Sequence, residues 1–185
     1  MIYNTKEFVL KNGTKMILKS PEVRDAQMLL NQIIETTKVT DYLTTTENDF
    51  APFIKDITKE EEFISKFSEG KDYLLCAYVN NIIVGNCMIR FLTHTKDKHR
   101  AIVGIAIKKE YWGLGIGSIM FDELIDIARN TPGIEQIELD VISQNQRAIA
   151  LYTKKGFRKT GEMPHQLKLE DGTYLDSNTM ILFLK

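Results

Sequence analysis

The sequence predicts an α+β, or mixed α/β, fold: a central, largely antiparallel sheet flanked by helices. Three observations carry this reading. Short stretches such as YLLCAYV, IIVGNCMIRF, AIVGIAI and IELDVI are apolar in alternation or throughout, as half-buried and fully buried strands are. The dipeptides Asn12-Gly13, Asn80-Asn81 and Asp171-Gly172 interrupt apolar runs, which marks antiparallel hairpins. Between AIVGIAI and IELDVI, Ile116, Met120, Leu124 and Ile127 recur at helical spacing, so that one connection reads as a right-handed crossover.

The elements follow in order. FVLKNGTKMIL opens the chain as a hairpin. Ser20-Pro21-Glu22 supplies an N-cap, a first-turn Pro and an acid near the positive helix end, for a helix running to about Glu35. Residues 36–57 hold no sustained period and read as a loop or broken helix, of the kind that often meets substrate. Thr58 and Glu61 form a capping-box pattern for a helix ending at Gly70. Tyr73 to Val79 and Ile82 to Phe91 pair about Asn80-Asn81. A plain two-residue turn sets Cys76 opposite Gly85 and Cys87 opposite Leu74. The thiols then share a face only diagonally, roughly 7–8 Å apart, too far to bridge. AIVGIAI is a central strand, apolar on both faces, whose Gly104 and Ala106 leave room for a helix or ligand. A glycine loop leads into a helix stopped at Asn130-Thr131-Pro132-Gly133. IEQIELDVI is a strand, NQRAIALYTKK a short helix ended by Gly156, and HQLKLEDGTYLDSNTMILFL a closing hairpin.

At 185 residues the chain fits a single domain, 1–185, able to hide about 70% of its unfolded surface. Lys plus Arg number 24 against 25 Asp plus Glu, which gives no reason to expect nucleic acid or a polybasic membrane anchor. The N-terminus is not a signal-peptide pattern, and no apolar run nears the ~20 residues of a membrane span. The expectation is a soluble cytoplasmic protein. Two cysteines build neither a disulfide framework nor a cysteine-based zinc cluster, and no metal site is expected. A homodimer is left open.

The stretch YWGLGIGS, Tyr111 to Ser118, places three glycines at alternate positions between a strand and a helix. Such a loop can turn successive amides toward a phosphate at a helix N-terminus. It lacks the Lys of a P-loop. It also lacks the third glycine of a dinucleotide fingerprint, which would fall at Ser118, and it starts late after its strand. Further on, Asn145 and Tyr152 stand seven residues apart, so on a helix both face one elongated ligand about two turns, ~10 Å, in length.

KKEYWGLGIGS followed by IELDVISQNQRAIALYTKKGF resembles the acetyl-CoA-binding core of the GCN5-related N-acetyltransferase (GNAT) superfamily, over about residues 101–157. The loop glycines are Gly115 and Gly117; the second element is Asn145, Ala148, Leu151, Tyr152, Gly156 and Phe157. The resemblance implies acetyl transfer from acetyl-CoA to an amine. It implies a cofactor site of Trp112, Gly113, Leu114, Gly115, Ile116, Gly117 and Ser118 for the diphosphate. The strand backbone at Ile105, Ala106 and Ile107 would meet the pantetheine, together with Asn145 and Ala148, and Tyr152 would be the leaving-group acid. Asn145 is equally natural as a plain helix N-cap. Two departures stand out: Trp112 occupies a position usually held by Gln or Arg, and Ile102 stands near where many relatives carry a Glu. The general base is therefore unassigned. Glu47, in the irregular segment, is the candidate, ahead of Glu138, Asp140 and His94; Asp41, Tyr42, Glu47 and Asp176 are candidate ammonium partners.

The expected reaction is acetylation of a primary amine on a small molecule, such as a polyamine, amino sugar or amino-acid derivative. The alternatives are a ribosomal-protein-type N-terminal acetyltransferase and a non-catalytic acyl-CoA sensor.

Overall fold

The computed structural model describes residues 1–184. The strands are β1 (Lys6–Val9), β2 (Lys15–Lys19), β3 (Tyr73–Val79), β4 (Ile82–Phe91), β5 (Arg100–Ile107), β6 (Gln136–Ile142), β7 (Arg158–Lys168) and β8 (Tyr174–Phe183). The helices are α1 (Ala26–Thr37), α2 (Ala51–Lys55), α3 (Thr58–Glu69), α4 (Ile116–Arg129) and α5 (Gln146–Lys154). The strand order is β1-β2-β3-β4-β5-β6-β8-β7. β5 and β6 are parallel, whereas β1–β2, β2–β3, β3–β4, β6–β8 and β7–β8 are antiparallel. The mixed, largely antiparallel sheet expected from the sequence is thus present, with β5 central. Among the described residues no helix is long and apolar enough to cross a membrane.

The chain forms two compact units, Met1–Arg90 with Gly104–Met120, and Phe91–Val103 with Phe121–Lys185. In the first, α1 and α3 cover one face of β3 and β4, burying Leu29, Ile64, Phe67, Leu74, Cys76 and Ile83. Tyr78 belongs to this cluster and donates its hydroxyl proton to Asp25 Oδ2 at 2.8 Å. In the second, Leu124 and Ala128 of α4 are buried, as are Ile137 and Leu139 of β6 and Met180 and Leu182 of β8.

Three local expectations are corrected. Ser20 does not cap α1; its Oγ accepts from the Tyr3 amide. Instead Glu22 and Asp25 cap one another across a 3-10 turn, Val23–Asp25, which delays the helix to Ala26. Thr58 is the first residue of α3 rather than its cap. Asp56 Oδ1 accepts from the Thr58 amide and hydroxyl, and the helical ladder begins with Glu61 N–H to Ile57 O.

The hairpin register also differs from the expected one. Asn80 and Asn81 both adopt positive φ (51° and 63°) as a two-residue turn requires, but a bulge between Ala77 and Tyr78 shifts the pairing beyond it. Cys76 consequently pairs with Asn86, and Cys87 with Leu75. Adjacent rungs alternate faces, so the two thiols point to opposite sides of the sheet and share no face at all.

Candidate functional site

In the first unit, β5 ends in a 3-10 turn, Lys109–Tyr111, and passes through Trp112 into the glycine loop. Gly113 and Gly115 take φ of +84° and +96°, a left-handed backbone that L side chains rarely adopt. A side chain at Gly113 would meet nothing within 4 Å, so backbone conformation, not crowding, requires the glycine there. The first α4 hydrogen bond runs from Ile119 N–H to Gly115 O at 3.1 Å. Among the described residues no acceptor engages the amides of Gly113, Leu114, Gly115, Ile116, Gly117 or Ser118. Six successive donors therefore open the helix at its positive dipole end, an arrangement chemically suited to a phosphate-bearing group. Ile116 is buried and anchors the loop's exit.

Trp112 Nε1 donates to the Ile107 carbonyl at 2.8 Å. That carbonyl, expected to meet a ligand, is thus already engaged by a side chain of the loop. Lys108 N–H donates to Val84 O at 2.9 Å, fixing the end of β5 to β4. Lys11, in the β1–β2 turn, donates its backbone N–H to Leu114 O at 3.1 Å.

In the second unit, β5 and β6 pair only over Arg100–Ile102 against Gln136–Glu138. From Leu139 to Ile142, β6 has a strand partner on the β8 side alone. Asn145 is the N-cap of α5, its Oδ1 accepting from Ala148 N–H at 3.1 Å. It therefore precedes the helix rather than lying within it, and its side-chain amide remains a donor. Tyr152, in the last turn of α5, is buried. Its ring centroid lies 4.9 Å from Phe121 and 6.1 Å from Phe157. Burial pushes its phenol up to about 12, so it keeps its proton near neutral pH. No hydrogen bond engages its hydroxyl among the described residues. Gly156, at φ +93°, ends α5, and a side chain there would approach Leu182 Cδ1 at 3.3 Å.

The carboxylates divide. Glu138 is gripped by Arg100 through both oxygens, and Gln136 Nε2 adds a bond of 2.7 Å. The Arg100 hydrogen bonds hold its carboxyl below the usual range, which leaves it a structural ion rather than a base. Asp140 accepts from Thr179 Oγ1 at 2.6 Å, and Asp176 from the His165 amide at 2.7 Å. His94 is solvated beside Asp97. Glu47 lies in a 3-10 turn, Glu47–Phe50, exposed and 3.2 Å from Lys38 Nζ; Asp41 and Tyr42 are exposed in the preceding turn. Sequence reasoning missed the Glu35–Lys108 ion pair at 2.5 Å and the buried chain Thr36, Gln32, Asn86. No local pattern announces contacts that span many residues of chain.

The model of the acetyltransferase (GNAT) family matches residues 40–157, well over half of the chain. The chain belongs to the GNAT acetyltransferase family. The GNAT match begins in the irregular segment and ends at Phe157, the last residue of the second sequence element. The chain is 29% identical over 106 residues to the L-amino acid N-acetyltransferase AaaT of Escherichia coli (strain K12), covering 57% of this chain and 65% of that protein. It is 28% identical over 101 residues to the probable N-acetyltransferase san of Drosophila melanogaster, covering 55% of each. In both cases the chain spans less than two thirds of the relative's length. Its fold is that of yncA, a putative acetyltransferase from Salmonella typhimurium solved with its cofactor acetyl-CoA. The TM-score is 0.78 at 19% identity, over 92% of this chain and 94% of that one.

Proposed function

We propose that this protein is an acetyl-CoA-dependent N-acetyltransferase acting on the primary amine of a small molecule, an amino-acid derivative first among polyamines and amino sugars. The observation that carries the reading is the row of six unengaged amides from Gly113 to Ser118 at the head of α4. Family membership supports the same cosubstrate, and the name of the Escherichia coli relative favours an amino-acid acceptor.

Acetyl-CoA supplies an activated acetyl thioester. The amides of Gly113–Ser118 and the α4 dipole hold its diphosphate. Within the first unit the backbone at Ile105 and Ala106 meets the pantetheine arm, whose own amides match donors and acceptors of this kind, and the motif resemblance assigns Asn145 of the second unit to the same arm. As the amine nitrogen bonds to the acetyl carbon and the carbon–sulfur bond breaks, Tyr152 gives its phenolic proton to the departing thiolate. The proton lost by the amine goes to water, and water returns one to the Tyr152 phenolate, so that the acid is restored for the next turnover. Glu47, solvated and paired with Lys38, is better suited to drawing in a cationic acceptor than to abstracting its proton.

Thermal shift with acetyl-CoA, CoA and NAD tests the cofactor, because a ligand of the folded state raises apparent stability with the logarithm of its saturation. An amine panel with free-thiol detection tests the acceptor. Stabilisation by CoA and thiol release with amino acids support the proposal. Stabilisation by NAD alone overturns it. Release only with peptides bearing a free N-terminus replaces the small-molecule acceptor with a protein one, and binding without any release favours a sensor.

A further inference from the structure

The geometry points to Lys11, from the β1–β2 turn, as the cation that neutralises the CoA diphosphate on the glycine loop, in place of any charge supplied by the loop itself. This inference rests on the proposed function and deepens it. Residues 112 to 118 read WGLGIGS and contain no charged side chain. Trp112, where the family usually places Gln or Arg, commits its indole N–H to the Ile107 carbonyl. A diphosphate held by neutral amides alone would lack a counter-ion, and a cation is expected nearby.

Lys11 stands in that place. Its backbone N–H donates to Leu114 O at 3.1 Å, fixing the turn to the loop by a main-chain bond. Its side chain lies along the loop. A Cβ built on Gly115 would stand 3.7 Å from Lys11 Cγ and 3.8 Å from Cε, so the stem runs over Gly115. The turn that presents Lys11 is rigid. Leu10 N–H donates to Thr14 O and Gly13 N–H to Leu10 O, both at 2.9 Å, while Thr14 N–H donates to Asn12 Oδ1 at 3.1 Å. Leu10 itself is buried. Lys11 is exposed, and among the described residues no carboxylate pairs with its ammonium. An unpaired cation on a rigid turn, with its stem against a loop of six open amides, suits a bound dianion. It also makes the site selective for a thioester carrying the diphosphate over one that ends at pantetheine.

Lys11→Met tests this, because Met keeps the apolar stem against Gly115 and removes the charge. CoA affinity, measured by calorimetry on the full chain, is expected to fall about five- to tenfold. Lys11→Arg restores it. Acetyl-pantetheine, which lacks the diphosphate, binds wild type and Lys11→Met alike, and wild-type CoA affinity falls more steeply with salt than that of Lys11→Met. A wild type that binds CoA and a folded Lys11→Met that binds it equally well overturn the role of Lys11 and leave the proposed function standing. An equal loss for CoA and acetyl-pantetheine also overturns it, since that is the signature of a loop brace. A wild type that ignores CoA overturns the proposed function, and the role of Lys11 with it.

Discussion

Trp112 donates its indole N–H to the Ile107 carbonyl at 2.8 Å, tying the start of the glycine loop to the end of β5. A side chain that the family motif would assign to the ligand serves the protein's own backbone. Replacing Trp112 by Phe removes the donor while keeping an aromatic ring. The expected result is a stability loss of about 1 kcal/mol in denaturant unfolding. The KM for acetyl-CoA should rise several-fold with kcat preserved, since the loop loosens while the reacting groups stay in place. A fall in kcat at unchanged KM would contradict this role.

Tyr152→Phe retains the packing against Phe121 and Phe157 and removes only the proton donor. Turnover is expected to fall about 100-fold or more, with CoA affinity within about twofold of wild type. Because burial holds the phenol up at about 12, wild-type kcat should show no alkaline decline attributable to Tyr152 between about pH 7 and pH 10. Full activity in Tyr152→Phe would remove Tyr152 as the acid.

Glu138→Gln is expected to leave kcat intact, because the Glu138 carboxylate is occupied by Arg100 and Gln136. It should cost about 1 kcal/mol of stability at neutral pH, a value tempered by solvent near Arg100. The sign follows from the lowered carboxyl. The folded state favours the ionised form, so the contribution is present above the ordinary carboxylate range and lost as pH falls through the folded-state value. Unfolding curves of wild type and Glu138→Gln should therefore converge at acid pH.

Glu60 behaves in the opposite sense. It is 2% exposed, its Oε1 has no hydrogen-bond partner, and desolvation raises it from an ordinary 4.5 to about 7. The folded state then binds more protons than the unfolded one between these values, so stability falls as pH rises through that window and stays lowered above it. Glu60→Gln, which does not titrate, should be more stable than wild type by about 1–2 kcal/mol at about pH 8, with the advantage gone near about pH 4. Chemical denaturation at the two pH values measures the difference. An equal gain at both would show that ionisation of Glu60 is not its source.

The local signals that proved readable are those whose cause is also local. Asn80-Asn81 turns the β3–β4 hairpin because both residues tolerate positive φ. Gly156 ends α5 for the same reason, and the apolar spacing of Ile116, Met120 and Leu124 marks the buried face of α4, with Ile127 only half-buried. In sequence Asn145 suits both a cap and a ligand residue, and the cap is present in its bond to Ala148. Distant partners decide the remaining features. The bulge at Ala77/Tyr78 moved Cys76 and Cys87 to opposite faces, and nothing in YLLCAYVNNIIVGNC distinguishes a bulged hairpin from a plain one. Glu138 could be a base or a structural ion in sequence; Arg100, far from it in the chain, decides for the ion.

The sequence by itself determined the order of elements, the glycine loop at the head of α4 and the family, because turn chemistry, helical spacing and motif spacing are short-range properties of the chain. Only the tertiary structure decided which groups of the loop remain open. The Trp112 indole is turned to Ile107, six amides are left without acceptors, and Lys11 is laid over Gly115. These depend on the β1–β2 turn meeting a loop some hundred residues later, and that meeting is fixed by the packing and hydrogen bonding of the folded sheet rather than by any local preference.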